Sequence, residues 1–241
     1  MLCLLFFSEI IINAALMASA MLIIHIIAGF LAIVCGAFAI ATKKGKGIHT
    51  TTGRIYFWSM IMVAVTSFYL SIINVIPFLF LIAVFSFYLT WSGYKAIHWK
   101  NKPLTNLIFW FDAFVTHIVA LFGILMITLS LLTWFDIHLN EDISSLRIVL
   151  LVFGIGTSIF AAEDLILFYR KNPSSKFLWM YTHIGRMLGA YIATVTAFLV
   201  VNGEFFPSPL IAWLGPTVIG TPLIFYWINK YRQKMEPTTA S

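Results

Sequence analysis

The chain has 241 residues, 61% of them hydrophobic and only 10% charged, with mean hydropathy +0.96. A water-soluble domain carries about 25% charged residues, so this chain cannot cover a water-facing surface, and lipid must cover it instead. The formal net charge of +6 does not point to nucleic acid, because the basic residues sit in short connections between apolar runs, where they act as topology signals.

Residues 1–20 read MLCLLFFSEIIINAALMASA. Leu2–Phe7 is a short apolar run, and Ala18-Ser19-Ala20 resembles a small-residue cleavage site. No Lys or Arg precedes the run, and Glu9 and Asn13 interrupt it as a spanning helix. The segment reads as an N-terminal extension or signal-like piece ahead of the main domain.

Seven apolar runs follow, at 21–41, 55–75, 77–97, 107–132, 146–169, 178–201 and 209–229. Each is near the ~20 residues that a spanning helix needs. Pro77, Pro103, Pro173 and Pro207 fall between or beside them, where helix ends belong. The expected fold is all-α: a polytopic transmembrane bundle of about seven helices over 21–229, then a basic tail at 230–241.

Orientation follows from the basic residues. Lys43, Lys44, Lys46 and Arg54 flank the first connection; Lys95, Lys100 and Lys102 lie in the third; Arg170, Lys171 and Lys176 in the fifth; Lys230, Arg232 and Lys234 in the tail. Arg147 lies opposite, with Asp136, Glu141, Asp142 and Glu204, and Arg186 lies inside a run. The positive-inside rule places the N-terminus outside and the C-terminus in the cytoplasm, in a plasma (bacterial inner) membrane. Trp99, Trp110, Trp179 and Trp227 fall near inner edges, and Trp134 and Trp213 near outer ones, as an aromatic belt does. Cys3 and Cys35 lie in apolar runs without a CxxC spacing and say nothing of redox compartment. His25-Ile-Ile-Ala-Gly-Phe is similar to His117-Ile-Val-Ala-Leu-Phe, which would make the two halves inverted repeats, but nothing else in the halves matches.

The sixth run, Trp179–Asn202, carries His183 and Arg186 near one end, with Gly185, Gly189, Ala193 and Ala197 at four-residue spacing. That spacing makes a smooth face for close helix packing. An ionisable pair inside an apolar helix demands neutralising partners. Asp112, His117, Glu163 and Asp164 are the groups available in other apolar runs. Counting from the run ends at 1.5 Å per residue puts Asp112, Asp164 and His183 at one level, about 7–8 Å below the cytoplasmic edge. These residues outline a cytoplasm-facing polar pocket, with His49 and Arg54 of the first connection able to close over it.

Three functional readings follow. The first is small-ligand, ion or proton handling by Asp112, His117, Glu163, Asp164, His183 and Arg186, with His49 and Arg54. The second is a b-type haem held by His117 and His183, with His25 a poorer match in depth. The third is a zinc-dependent membrane hydrolase with His49, His183 and Asp112 as ligands. The structural reading of the same groups is an internal ion pair between Arg186 and Asp164 or Asp112, with histidines bonded to backbone. No HExxH, Walker loop, dinucleotide-binding glycine pattern or GxSxG is present, so enzymatic activity stays open. The lipid bilayer is the one partner expected.

Two stretches carry a family resemblance. His25-Ile-Ile-Ala-Gly-Phe-Leu-Ala-Ile-Val-Cys-Gly36, Lys46-Gly47, His49 and Gly53-Arg54-Ile-Tyr56 form one, and His183-Ile-Gly-Arg-Met-Leu-Gly-Ala-Tyr-Ile-Ala with Thr196–Asn202 forms the other. Together they resemble an uncharacterised bacterial integral membrane protein family, domain-of-unknown-function family 2306. The resemblance implies a helical membrane fold and singles out His25, Gly29, Gly36, His49, Gly53, Arg54, His183 and Met187. Where that family often has a basic residue after the loop histidine, this chain has Thr50.

Overall fold

The computed structural model describes residues 2–98, 106–135, 146–169 and 176–236; within these, 2–12, 14, 106–109, 209 and 210 are described by backbone alone. Among the described residues there is no strand. The helices are α1 (Leu2–Ala41), α2 (Ile48–Ile73), α3 (Pro77–His98), α4 (Asn106–Trp134), α5 (Arg147–Tyr169), α6 (Leu178–Val201) and α7 (Pro209–Met235), with a 3-10 turn at Gly203–Phe205 before α7. All seven contain a segment long and apolar enough to cross a membrane. The protein is an all-α, multi-pass membrane protein. Trp99, Lys100, Lys102, Pro103, Asp136, His138, Glu141, Asp142, Arg170, Lys171 and Pro173, on which much of the orientation argument rests, lie outside the described residues.

Two compact units divide the chain, residues 1–83 and 84–241, so the boundary falls within α3. In the first unit, α1 runs without a break from Leu2 to Ala41 and includes the segment expected to stand apart from the first span. α2 starts at Ile48, seven residues before the expected 55. The cause is the turn: Gly45 and Gly47 have φ of +101° and +64°, values that glycine takes without a Cβ penalty. The chain therefore reverses within a few residues and re-enters a helix at once. His49 and Arg54, expected in a loop, stand in the first two turns of α2. The His49 Nδ1–H donates to the Ala39 carbonyl at 2.9 Å, and the Lys44 ammonium donates to Ala39 at 2.8 Å and also to Ile40. These bonds satisfy carbonyls that the end of α1 leaves without helical partners. Further along, His25 Nδ1 lies 3.0 Å from Thr66 Oγ1, whose own hydroxyl donates to the Met62 carbonyl. The threonine oxygen thus accepts from the ring, and His25 ties α1 to α2.

In the second unit the closest helix crossing is α4 against α5. A Cβ on Gly123 would lie 3.0 Å from the Ser158 nitrogen, and one on Gly154 would lie 3.0 Å from the Gly123 carbonyl oxygen. Backbone meets backbone there, as small residues in membrane helices permit. Ser130 Oγ donates to the Arg147 carbonyl at 2.8 Å, and the Arg147 guanidinium lies 5.0 Å over the Trp134 ring, which closes the far ends of α4 and α5. α6 and α7 run antiparallel: Arg232 lies over Tyr181, Ile228 against Gly185, and Gly220 against Ile192. The α6 small-residue stripe is shared between neighbours. Gly185 faces α7, whereas Gly189 faces Leu89 of α3, because a four-residue step rotates about 40° around a helix.

Gly154→Val should destabilise the protein by about 1–3 kcal/mol, since the added carbons meet backbone that cannot move aside. Gly29→Ala, where a Cβ meets nothing within 4 Å, should be neutral or stabilising by up to about 1 kcal/mol. Thermal unfolding in detergent would measure both, and equal losses at the two sites would contradict the packing described here.

Candidate functional site

The site is arranged around the second-unit part of α3, whose sequence SFYLTWSGYK presents different residues to three helices. Tyr88, Ser92 and Lys95 follow an i, i+4, i+7 spacing and so share one face. Tyr88 Oη donates to Asp164 Oδ2 on α5 at 2.7 Å, and Ser92 Oγ donates to the same oxygen at 2.8 Å. Trp91 and Lys95 turn toward α4: the indole N–H donates to Asp112 Oδ1 at 3.3 Å, and the Lys95 ammonium lies 3.9 Å from Asp112 Oδ2. Leu89 and Gly93 face α6, where a Cβ on Gly93 would come within 2.9 Å of Arg186 Cβ. Tyr88 also packs with Val119 and Ala161, so its hydroxyl is aimed by the apolar core beneath it.

Arg186 crosses from α6 to α5. Its Nη2 donates to the Phe160 carbonyl at 2.9 Å, to Glu163 Oε2 at 3.0 Å and to Asp164 Oδ1 at 3.2 Å. The guanidinium carbon lies 4.2 Å over the Phe160 ring. Nη1 is buried and makes no hydrogen bond among the described residues. Arg186, Asp164, Asp112 and Lys95 are 3%, 0%, 1% and 6% exposed, whereas Glu163 is 60% exposed. One guanidinium nitrogen therefore serves two carboxylates in very different surroundings.

Of the residues singled out in the sequence, Glu163, Asp164 and Arg186 come into direct contact, and Asp112, on α4, is tied to α3 through Lys95. His183 Nδ1–H donates to the Gly93 carbonyl at 2.8 Å, adjacent to this cluster. His117 is elsewhere, on an exposed face of α4. Its Nδ1–H donates to the Ala113 carbonyl at 2.6 Å, so its Nε2 is left to accept from Tyr169 Oη at 3.2 Å. His117 and His183 each donate through Nδ1 to a backbone carbonyl, on α4 and α3 respectively, and no contact between the two rings is seen among the described residues. The three residues weighed as zinc ligands are each engaged separately, His49 with Ala39, His183 with Gly93 and Asp112 with Lys95. Among the described residues no three His, Cys, Asp or Glu side chains gather as a metal site. His25 and His49 serve the α1–α2 pair within the first unit, and Arg54 is exposed there.

Lys95 corrects the sequence reading. It was counted among the charges of the third connection, but it is a buried helical residue paired with Asp112. Tyr88, Ser92, Trp91 and Gly93 were also missed. Their signal was the polar stripe at 88, 92 and 95 inside an otherwise apolar run. No family model, curated protein or solved structure matches this chain.

Lys95→Met alone should cost about 3–5 kcal/mol, because it leaves Asp112 buried without its cation, and Asp112→Leu should cost as much. The double variant should recover most of the loss, since a buried pair replaced by apolar residues is often neutral. Unfolding in detergent provides this double-mutant cycle, and additive losses would show that the two groups do not interact.

Proposed function

We propose that this membrane protein handles a proton or small ion through the polar network of its second unit. The observation that carries the reading is the charge imbalance at Arg186: one cation contacts both Glu163 and Asp164. A purely structural ion pair needs one carboxylate per cation, as at Lys95 and Asp112. Here the exposed Glu163 adds a second negative charge to a buried Arg186–Asp164 pair, in a membrane helix, where ionisable groups mark ion or proton pathways. A proton or a cation arriving at the pair offsets that charge. Asp164 is fixed by Arg186, Tyr88 and Ser92, and Glu163 is the accessible partner. We further propose, from the motifs around His25 and His183, that the chain belongs with domain-of-unknown-function family 2306. Its loop charges favour a bacterial inner membrane, with the N-terminus outside and the C-terminus cytoplasmic.

Protein reconstituted into liposomes with an internal pH-sensitive dye should dissipate an imposed pH gradient faster than empty liposomes. Asp164→Asn should abolish that flux while still inserting as a monodisperse protein. No flux from the unaltered protein, in media with and without a small organic anion, would reject the reading. A variant that fails to fold would assign Asp164 to structure alone.

A further inference from the structure

Resting on that reading of the site, we propose that the ligand moved together with the proton is a small monovalent carboxylate, which takes the place of Glu163 on Arg186. The geometry of the guanidinium supports this first. Nη2 already meets three acceptors, yet Nη1 is buried and meets none among the described residues. Glu163 engages the group through one oxygen only. A free carboxylate can span both nitrogens of an arginine in the two-bond arrangement that makes such pairs strong and orientation-specific. The site therefore holds a donor that Glu163 leaves unused.

Which carboxylate yields follows from their partners. Asp164 is wholly buried and accepts from Tyr88, Ser92 and Arg186, so displacing it would strand three donors. Glu163 is 60% exposed, and its one side-chain bond described is to Arg186. Two further charged or titratable groups face the pair: Lys95, whose positive charge acts on both Asp112 and Asp164, and His183, which donates to the Gly93 carbonyl.

Charge then couples the ligand to a proton. With both carboxylates ionised, the Arg186 cluster carries one net negative charge. An anion entering in that state would double it inside apolar helices. If Glu163 first takes a proton, its hold on Arg186 weakens and the cluster becomes neutral. The incoming carboxylate then restores the original charge. One proton goes to Glu163 and one anion to Arg186, so the loaded site has the same net charge as the empty one.

Lactate is a suitable probe, with chloride as the comparison anion, each titrated by calorimetry against protein in nanodiscs at a series of pH values. Lactate affinity should fall about tenfold per pH unit once Glu163 is ionised, as coupling to a single proton requires. Glu163→Gln, a permanently neutral stand-in, should bind lactate with no pH dependence, and Arg186→Gln should lose binding. Lactate affinity that is the same at all pH values in the unaltered protein would overturn the coupling. Glu163→Gln that binds no lactate at any pH would overturn the anion site, while proton flux in liposomes would leave the proton-handling reading standing. Chloride bound as tightly as lactate would overturn the two-bond recognition.

Discussion

A buried guanidinium in a membrane helix must find carboxylates, and this requirement organises the second unit. Water is absent from the apolar interior, so an unpaired charge there is strongly destabilising. Arg186 reaches Asp164, Glu163 and the Phe160 carbonyl together, which fixes α6 against one turn of α5. Asp164 in turn collects Tyr88 and Ser92 from α3. Three helices are thereby held at one relative depth by a single ion pair and its donors. Apolar packing alone would set that depth poorly, because lipid tails and leucine side chains are alike in polarity.

The ion pair depends on close approach, and close approach depends on small residues. Arg186 can lie beside α3 only because position 93 has no side chain; any Cβ there would strike Arg186 Cβ and Met187. The same glycine leaves its carbonyl open to His183. Gly123 and Gly154 do for α4 and α5 what Gly93 does for α3 and α6. Packing and electrostatics are thus one constraint: without the glycine contacts the charges could not meet, and without the charges the helices would have less reason to hold that register.

The seven spans were legible in the sequence because length and apolar content are all that a bilayer asks of a helix. The boundary at α2 was not, since Thr50, Thr51, Thr52 and Gly53 look like a loop, while the two positive-φ glycines before them complete the turn on their own. The buried charges of α4, α5 and α6 were legible one by one, because each interrupts an apolar run. Their partners on α3 were not. Lys95 stands close to the end of its run, where a lysine ordinarily marks the cytoplasmic side. Only its pairing with Asp112 on another helix shows that it points inward. The histidines stood out in the sequence, but their partners did not: His25, His49 and His117 each hold a backbone or hydroxyl group through Nδ1, as a ring with two hydrogen-bonding nitrogens readily does.

The second unit also contains its own comparison. Lys95 with Asp112 and Arg186 with Asp164 are both buried pairs in the same helical setting, and both rest on an aromatic ring, Phe168 for the lysine and Phe160 for the arginine. The first is balanced, one cation with one carboxylate. The second carries an additional acid, Glu163, which is 60% exposed and shares Arg186 Nη2 with Asp164. The exposed glutamate is what distinguishes the two pairs. It does so through an imbalance of charge, which no inspection of either helix alone would reveal.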